Sequence, residues 1–214
     1  MKAILSKAPG GPETLILENV NAAEPGDGEV RIRVRACGVN YPDTLMIEDK
    51  YQFRPDRPFS PGGEVSGEID AVGEGVTGFS PGDAVIALVG WGGMAEYVVT
   101  PASKCASMPD GMPFDQAAAF IFTYGTTYHA LKQRAALKTG ETLLVLGAAG
   151  GVGLSAVELG RAMGARVVAA ASSEEKVELA KAHGASVGIV YRRGPFDKDG
   201  TKALSAQFKE ATAP

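Results

Sequence analysis

The feature that most constrains this chain is a glycine-rich turn that follows a short apolar run. Leu143–Leu146 is apolar without alternation, as in a parallel strand buried on both faces. The Gly-x-Gly-x-x-Gly spacing then falls on Ala148, Gly150 and Gly153, so alanine replaces the first glycine. Backbone N–H groups at such a turn can approach a pyrophosphate, because they lie at a helix N-terminus. We predict a dinucleotide-binding turn formed by Ala148, Gly150, Gly151, Val152 and Gly153. The alternative is a tight turn without a ligand.

The second half of the chain alternates between strand and helix patterns. Further strands are predicted at Val167–Ala171 and Val187–Tyr191, with helices at Gly153–Met163 and Thr201–Ala211. This alternation is typical of a doubly wound parallel sheet. A complete dinucleotide-binding domain of this kind has six strands, and only three fit here. We therefore expect the chain to be a fragment or the product of a truncated reading frame.

The first half has a strand-rich pattern. Charged and apolar residues alternate with period two over Glu29–Ala36. Further short strands are predicted at Glu64–Val72, Asp83–Val89 and Glu96–Val99, separated by glycine and proline turns. Several short strands with such turns indicate a small barrel or sandwich. A helix is predicted to follow over Ala117–Leu131, with a possible break near Thr123–Gly125.

The end of the second parallel strand bears on which nicotinamide cofactor is preferred. NAD sites usually place an aspartate or glutamate there, but the sequence is Ala-Ala-Ser-Ser, ending in Ser172 and Ser173. Lys176 follows one helical turn later. Hydroxyls and a lysine can hold a 2′-phosphate through charge-assisted hydrogen bonds, which favours NADP(H). The alternative is that the serines only cap a helix and that Lys176 is only solvated.

Composition excludes several classes of partner. The formal net charge is -4, so neither a nucleic-acid surface nor a polybasic membrane patch is expected. Cys37 and Cys105 provide no disulfide framework and no CxxC pair, which fits a reducing compartment. The longest uncharged stretches, Gln116–Leu131 and Thr142–Val157, are broken by glycine or polar residues. We expect a soluble, cytoplasmic protein.

Four motifs in order resemble a known family. They are Ala-Cys-Gly-Val-Asn-Tyr-Pro-Asp at 36–43, Pro-Gly-Gly-Glu-Val-Ser-Gly at 61–67, Gly-Phe-Ser-Pro-Gly-Asp-Ala-Val at 78–85, and the glycine turn at 148–153. Together they resemble the medium-chain dehydrogenase/reductase superfamily, and within it the zinc-independent quinone oxidoreductases. The resemblance implies an α/β plus β fold: a GroES-like barrel domain followed by a partial, first-half Rossmann doubly wound domain. We place the GroES-like catalytic domain at 1–122, lacking its usual C-terminal complement, and the partial NADP-binding domain at 123–214.

The resemblance also implies that no metal is bound. Zinc-dependent relatives carry a cysteine where this chain has Asn40 and a histidine where it has Gly63. Their third ligand would fall near Phe122 or Thr123, where no cysteine or histidine stands. A zinc site needs three or four nitrogen, sulfur or oxygen ligands.

The same resemblance implies roles for particular residues. It places Asn40 and Tyr51 in the substrate pocket as catalytic residues, and Thr126 near the nicotinamide and phosphates. It places Ser173, Lys176 and Tyr191 around the 2′-phosphate. Plainer roles stay open: Asn40 holding a turn, Tyr51 packing its ring, and Tyr191 as ordinary strand core.

The expected function is an NADPH-dependent reduction of quinones or other α,β-unsaturated carbonyls by metal-free hydride transfer. The full-length form is expected to be a homo-oligomer acting on a small molecule. One alternative is an enoyl-thioester reductase of the same superfamily. Another is a truncated nucleotide-binding chain without catalysis, since we expect this chain alone to be a weak or inactive enzyme with an open sheet edge.

Overall fold

The chain folds as two units, Met1–Phe122 and Thr123–Pro214. A computed structural model describes residues 1–191 and 194–213. The sequence-based boundary falls at the same residue, while the roles assigned to the two segments stay predictions. The first unit contains β1 (Lys2–Leu5), β2 (Ile16–Asn19), β3 (Glu29–Gly38), α1 (Tyr41–Ile47), β4 (Glu64–Val72), β5 (Ala84–Leu88), β6 (Tyr97–Pro101), β7 (Cys105–Ser107) and α2 (Phe114–Ala118).

An antiparallel sheet of five strands forms the centre of the first unit, in the order β6-β3-β4-β5-β7. Alternation in β3 buries Val30 and Ile32 against Val65 and Ile69 of β4. The register shifts twice along this pair, and such bulges increase the local twist that a barrel-like sheet requires. β1 and β2 form a separate antiparallel pair. This arrangement of short antiparallel strands agrees with the small barrel or sandwich predicted from the sequence.

The second unit holds a parallel sheet in the order β10-β9-β8. Its elements are α3 (Thr126–Tyr128), β8 (Thr142–Leu146), α4 (Gly151–Ala162), β9 (Arg166–Ala171), α5 (Glu174–Ala182), β10 (Val187–Val190) and α6 (Lys198–Thr212). The valines and alanines of β9 are all buried, since it is the central strand, and Arg166 at its start is half-buried. The predicted alternation of strand and helix is therefore confirmed. Within 123–191 and 194–213, β8 pairs only with β9.

The segment that joins the sheets differs from the predicted helix over Ala117–Leu131. It consists of α2, α3 and two π-helical turns, Ile121–Gly125 and His129–Arg134. The predicted break at Thr123–Gly125 is wrong: those residues lie in a π-helical turn, where Gly125 keeps helical backbone angles, and the interruption lies at residues 119–120. Glycine and several β-branched residues lower the helix propensity here. The short elements β1, β2, β7 and α1 were not predicted, because each offers too few residues for a periodic pattern.

No helix in the described parts of the chain is long and apolar enough to cross a membrane.

A close approach between β3 and β4 generates a prediction. A Cβ at Gly67 would lie 2.1 Å from the carbonyl oxygen of Arg33 and 2.8 Å from Ile32 Cγ2. Gly67→Ala is therefore expected to lower the free energy of unfolding by about 3 kcal/mol, the upper end for overpacking. Urea denaturation of the purified chain measures this change.

Gly26→Ala is the matched control for that measurement. Its Cβ would meet only the movable end of the Glu29 side chain, at 3.3 Å. The control is expected to change the free energy of unfolding by less than about 0.5 kcal/mol. Equal effects of the two substitutions would contradict the steric argument.

Candidate functional site

The glycine turn connects the carboxyl end of β8 to the first residue of α4. Gly147 has a φ of +64°, a left-handed conformation that glycine adopts without strain. Ala148 is fully buried, and its N–H donates to the carbonyl of Ala170 at 3.1 Å. Gly147 therefore makes the sharp turn, which explains why alanine is tolerated at the first position of the fingerprint.

Close packing fixes the rest of the turn. A Cβ at Gly153 would lie 2.3 Å from the carbonyl oxygen of Gly147, so only glycine fits there. Gly150 is the N-cap of α4 in an extended conformation, and its Cβ would meet only the Gly147 carbonyl, at 3.5 Å. The space over Gly150 is thus open to a ligand. The first N–H groups of a helix have no intrahelical acceptor, and Val152 in this first turn is exposed.

Two buried hydroxyls hold α3 against α4 beneath this turn. Thr127 Oγ1 and Ser155 Oγ are 2.7 Å apart, and Ser155 Oγ donates to the carbonyl of Val152 at 2.9 Å. Thr126, the predicted nicotinamide neighbour, is the exposed first residue of α3. Sequence reasoning missed Thr127 and Ser155, since isolated hydroxyls carry no motif.

The predicted 2′-phosphate residues meet at the carboxyl ends of β9 and β10. Lys176 Nζ lies 3.5 Å from Ser172 Oγ, and Ser173 caps α5 by accepting from the N–H of Lys176 at 3.5 Å. The N–H of Tyr191 donates to the carbonyl of Ala171 at 3.0 Å. Its ring packs beside Phe208, with centroids 6.4 Å apart. A lysine and two hydroxyls therefore lie at a strand end that carries no acid before α5, whereas the Tyr191 ring packs into the core.

In the first unit, the predicted catalytic residue Asn40 is held by two acids. Its backbone N–H donates to Asp43 Oδ2 at 2.7 Å, and its side-chain Nδ2 donates to Glu64 Oε1 at 2.9 Å. The other oxygen of Glu64 accepts from the N–H of Phe122 at 2.8 Å. Glu64 is only 1% exposed, and Asp43 is also buried.

Burial governs the protonation of this cluster. It raises the pKa of Glu64, and the negative charge of Asp43 raises it further, while the hydrogen bonds from Asn40 and Phe122 oppose the shift. Burial likewise raises the pKa of Asp43, against hydrogen bonds from the N–H groups of Asn40, Gly62 and Gly63. It also raises the pKa of Cys37 to about 12, so that thiol is not a ready nucleophile at neutral pH.

Sequence reasoning gave no role to Asp43 or Glu64. The signal that could have found Glu64 is an acid at the start of the apolar strand Glu-Val-Ser-Gly. A charged residue in such a strand requires hydrogen-bond partners, and the nearby motif of Asn40 supplies one.

Tyr51, the second predicted catalytic residue, has different surroundings. It packs against the apolar cluster of Met46, Ile47 and Phe59, and its ring meets that of Phe53 edge-on, with centroids 5.9 Å apart. These are packing contacts, whereas the described side-chain partner of Asn40 is Glu64. A pocket role for Tyr51 stays a prediction.

The positions that hold zinc in zinc-dependent relatives carry Asn40 and Gly63 here. The side-chain amide of Asn40 donates a hydrogen bond to Glu64, and Gly63 has no side chain. In the described parts of the chain, no group of three histidines, cysteines or acids could hold a metal ion. The absence of zinc stays a prediction.

Comparison with known proteins gives consistent matches. The model of the alcohol dehydrogenase GroES-like domain matches residues 26–110, and that of the zinc-binding dehydrogenase domain matches residues 151–213. A quinone oxidoreductase-like protein 2 homolog of Nematostella vectensis is 41% identical over 207 residues, covering 95% of this chain and 56% of the relative. The quinone oxidoreductase of Pseudomonas aeruginosa is 42% identical over 191 residues, covering 89% of this chain and 58% of the relative.

A solved structure matches as well. The Escherichia coli quinone oxidoreductase complexed with NADPH superimposes with a TM-score of 0.89 at 30% identity, covering 99% of this chain and 63% of the other. The chain thus spans little more than half the length of the curated relatives it matches.

Proposed function

The chain belongs to the quinone oxidoreductase family of the medium-chain dehydrogenase/reductase superfamily, and on that premise we propose that it forms part of an NADPH-dependent reductase. One observation carries the proposal. The open glycine turn and the Ser172–Lys176 pair stand at the carboxyl ends of the adjacent parallel strands β8 and β9. Ligands of open α/β sheets bind at that edge.

The residues present fit NADPH. The N-terminus of α4, with no side chain on Gly150, would receive the pyrophosphate. Lys176, Ser172 and Ser173 would hold the 2′-phosphate, with Tyr191 beside them. Thr126 would lie near the nicotinamide end. The NADPH complex of the Escherichia coli relative supports this assignment.

The chemistry that NADPH supplies when bound is a hydride. On this chain, the Asn40 amide would donate an N–H to the oxygen of the substrate, where negative charge develops as a carbonyl or quinone is reduced. Tyr51 and the Phe53 ring beside it would line the substrate side of the first unit. A quinone or another α,β-unsaturated carbonyl is the proposed substrate. The cytoplasmic location and the homo-oligomer stay predictions.

An assay of NADPH oxidation tests the function, with a benzoquinone, a simple enone and an enoyl-CoA offered separately. We expect turnover with the quinone or the enone. Asn40→Ala is expected to lower kcat roughly 100-fold, as removal of an oxyanion donor does, and to leave NADPH affinity unchanged. Turnover with the enoyl-CoA alone would favour the thioester reductase instead. NADPH binding without turnover on any of the three would indicate a nucleotide-binding chain.

Lys176 is expected to discriminate between the two nicotinamide cofactors. Loss of one charge-assisted hydrogen bond costs about 1.5–3 kcal/mol, so Lys176→Ala should weaken NADPH binding about 10- to 100-fold. NADH binding should hardly change, because NADH has no 2′-phosphate. Isothermal titration of both cofactors measures this. Lys181→Ala is the matched control, since Lys181 lies on the same helix and pairs with Glu178. Equal losses for both cofactors would contradict the assigned role.

The glycine turn separates binding from stability. Gly150→Ala should change the free energy of unfolding by less than about 0.5 kcal/mol, because its Cβ meets no close neighbour. The methyl group would nevertheless stand where the pyrophosphate approaches, so NADPH should bind at least about tenfold more weakly. Gly153→Ala, in contrast, should lower the free energy of unfolding by about 1–3 kcal/mol, because its Cβ would clash with the turn. A Gly150→Ala variant that binds NADPH like wild type would place the cofactor elsewhere.

A further inference from the structure

Glu64 is a buried acid whose two oxygens serve two separate segments. Oε1 accepts from Asn40 Nδ2 at the start of α1, and Oε2 accepts from the backbone N–H of Phe122. These partners lie 24 and 58 residues away in sequence. Glu64, the first residue of β4, therefore connects Asn40 to Phe122, the last residue of the first unit.

The neighbourhood is shaped for this carboxylate. A Cβ at Gly38 would lie 2.6 Å from Glu64 Oε1 and 2.4 Å from the carbonyl oxygen of Ala118, so only glycine leaves room. The charged and titratable groups nearby are Asp43 and Cys37. Asp43 is engaged by the backbone N–H groups of Asn40 and Gly62, at 2.7 and 3.2 Å. Asp43 thus holds the backbone at Asn40, and Glu64 holds the side chain.

The chemistry of the two groups fixes how the amide is turned. An ionised carboxylate only accepts hydrogen bonds, whereas an asparagine amide offers an oxygen at one end and an NH2 group at the other. Facing the oxygen to Glu64 would set two acceptors together, so the NH2 end must face the acid. One N–H of Nδ2 then goes to Glu64, and the second remains for a ligand.

We propose that Glu64 is a positioning residue that locks the Asn40 amide in the one orientation that presents an N–H to substrate. Its consequence for catalysis rests on the proposed function, whereas the locked orientation does not. Glutamine cannot replace it. Glutamine has a single amide oxygen, so its NH2 end would face either Asn40 Nδ2 or the N–H of Phe122.

Nuclear magnetic resonance of the ¹⁵N-labelled chain tests the locked orientation without any assay of activity. The Asn40 side-chain signals are assigned as those that vanish in Asn40→Ala. In wild type they should shift with pH in step with a group whose pKa lies above the 4.5 ordinary for glutamate. In Glu64→Gln they should move, broaden and lose that pH dependence. The proposal is overturned if the Asn40 side-chain signals do not shift with pH in wild type, or if they are the same in Glu64→Gln as in wild type. If Glu64→Gln does not fold, the wild-type titration decides the matter by comparison with the backbone N–H of Phe122, which also donates to Glu64. The Asn40 side chain and the Phe122 N–H should titrate with one midpoint, and different midpoints overturn the proposal.

A double-mutant cycle tests the consequence for turnover. Glu64→Gln should lower kcat roughly 10- to 100-fold, as misplacement of a reacting group does, with the KM for NADPH unchanged. In the Asn40→Ala background the same substitution should lower kcat no further, because Glu64 acts through Asn40. An independent structural role would instead give additive losses, which overturn the proposal.

Ser66→Ala is the control for general destabilisation. Ser66 lies two residues along the same strand, is fully buried and donates to the carbonyl of Phe114. It should lower the free energy of unfolding and leave kcat and the Asn40 signals unchanged. If the wild-type protein reduces neither quinone, enone nor enoyl-CoA, the proposed function fails, and the resonance experiment alone decides whether Glu64 locks Asn40.

Discussion

The first unit depends on how it compensates the buried charge of Glu64. Removing a carboxylate from water costs several kcal/mol unless strong hydrogen bonds replace hydration. Here the N–H groups of Asn40 and Phe122 provide them, at 2.9 and 2.8 Å. These donors come from segments far apart in the chain, so the sheet, the start of α1 and the end of the unit must assemble together. Loss of either donor would leave a buried acceptor unpaired and lower the free energy of unfolding by about 1–3 kcal/mol.

The packing of the second unit depends instead on glycines in α4, where a side chain would not fit. Gly153 allows α4 to approach the turn after β8, and Gly160 allows it to approach Leu143 and Val167, where a Cβ would lie 2.6 and 3.1 Å away. Because α4 is closely packed at both Gly153 and Gly160, the core fixes the direction of its N-terminus. A helix N-terminus fixed in this way offers its N–H groups to an anion without reorganisation.

Much of this could be predicted from the sequence, because it rests on local patterns. A few neighbouring residues are enough to predict the alternating strand β3, the apolar strands β8 and β9, and the glycine turn. The parallel three-stranded sheet followed from these. The short strands β1, β2 and β7 could not be predicted, since they are specified by pairing partners distant in sequence.

The contacts around Asn40 show the limit for the site. The residue itself was found through a motif, but its partner Glu64 was not, since that contact spans 24 residues and arises from strand pairing. Likewise, Gly147 rather than Ala148 makes the sharp turn, which required backbone angles to see. Tyr51 illustrates the reverse case: the family resemblance placed it in the substrate pocket, yet its described contacts are those of a packed ring.

The raised pKa of Glu64 sets stability against orientation as pH changes. A carboxyl whose pKa is higher in the folded than in the unfolded state binds its proton more tightly when folded. Between those two pKa values the free energy of unfolding therefore falls as pH rises, because the charge must be buried. Yet only the ionised carboxylate accepts at both oxygens, and only that form leaves the Asn40 amide a single orientation. The protonated acid could donate to the amide oxygen, so the locked geometry is lost as the fold gains stability. The buried, ionised Glu64 therefore lowers the free energy of unfolding at neutral pH, and in the same state it holds the Asn40 amide in one orientation.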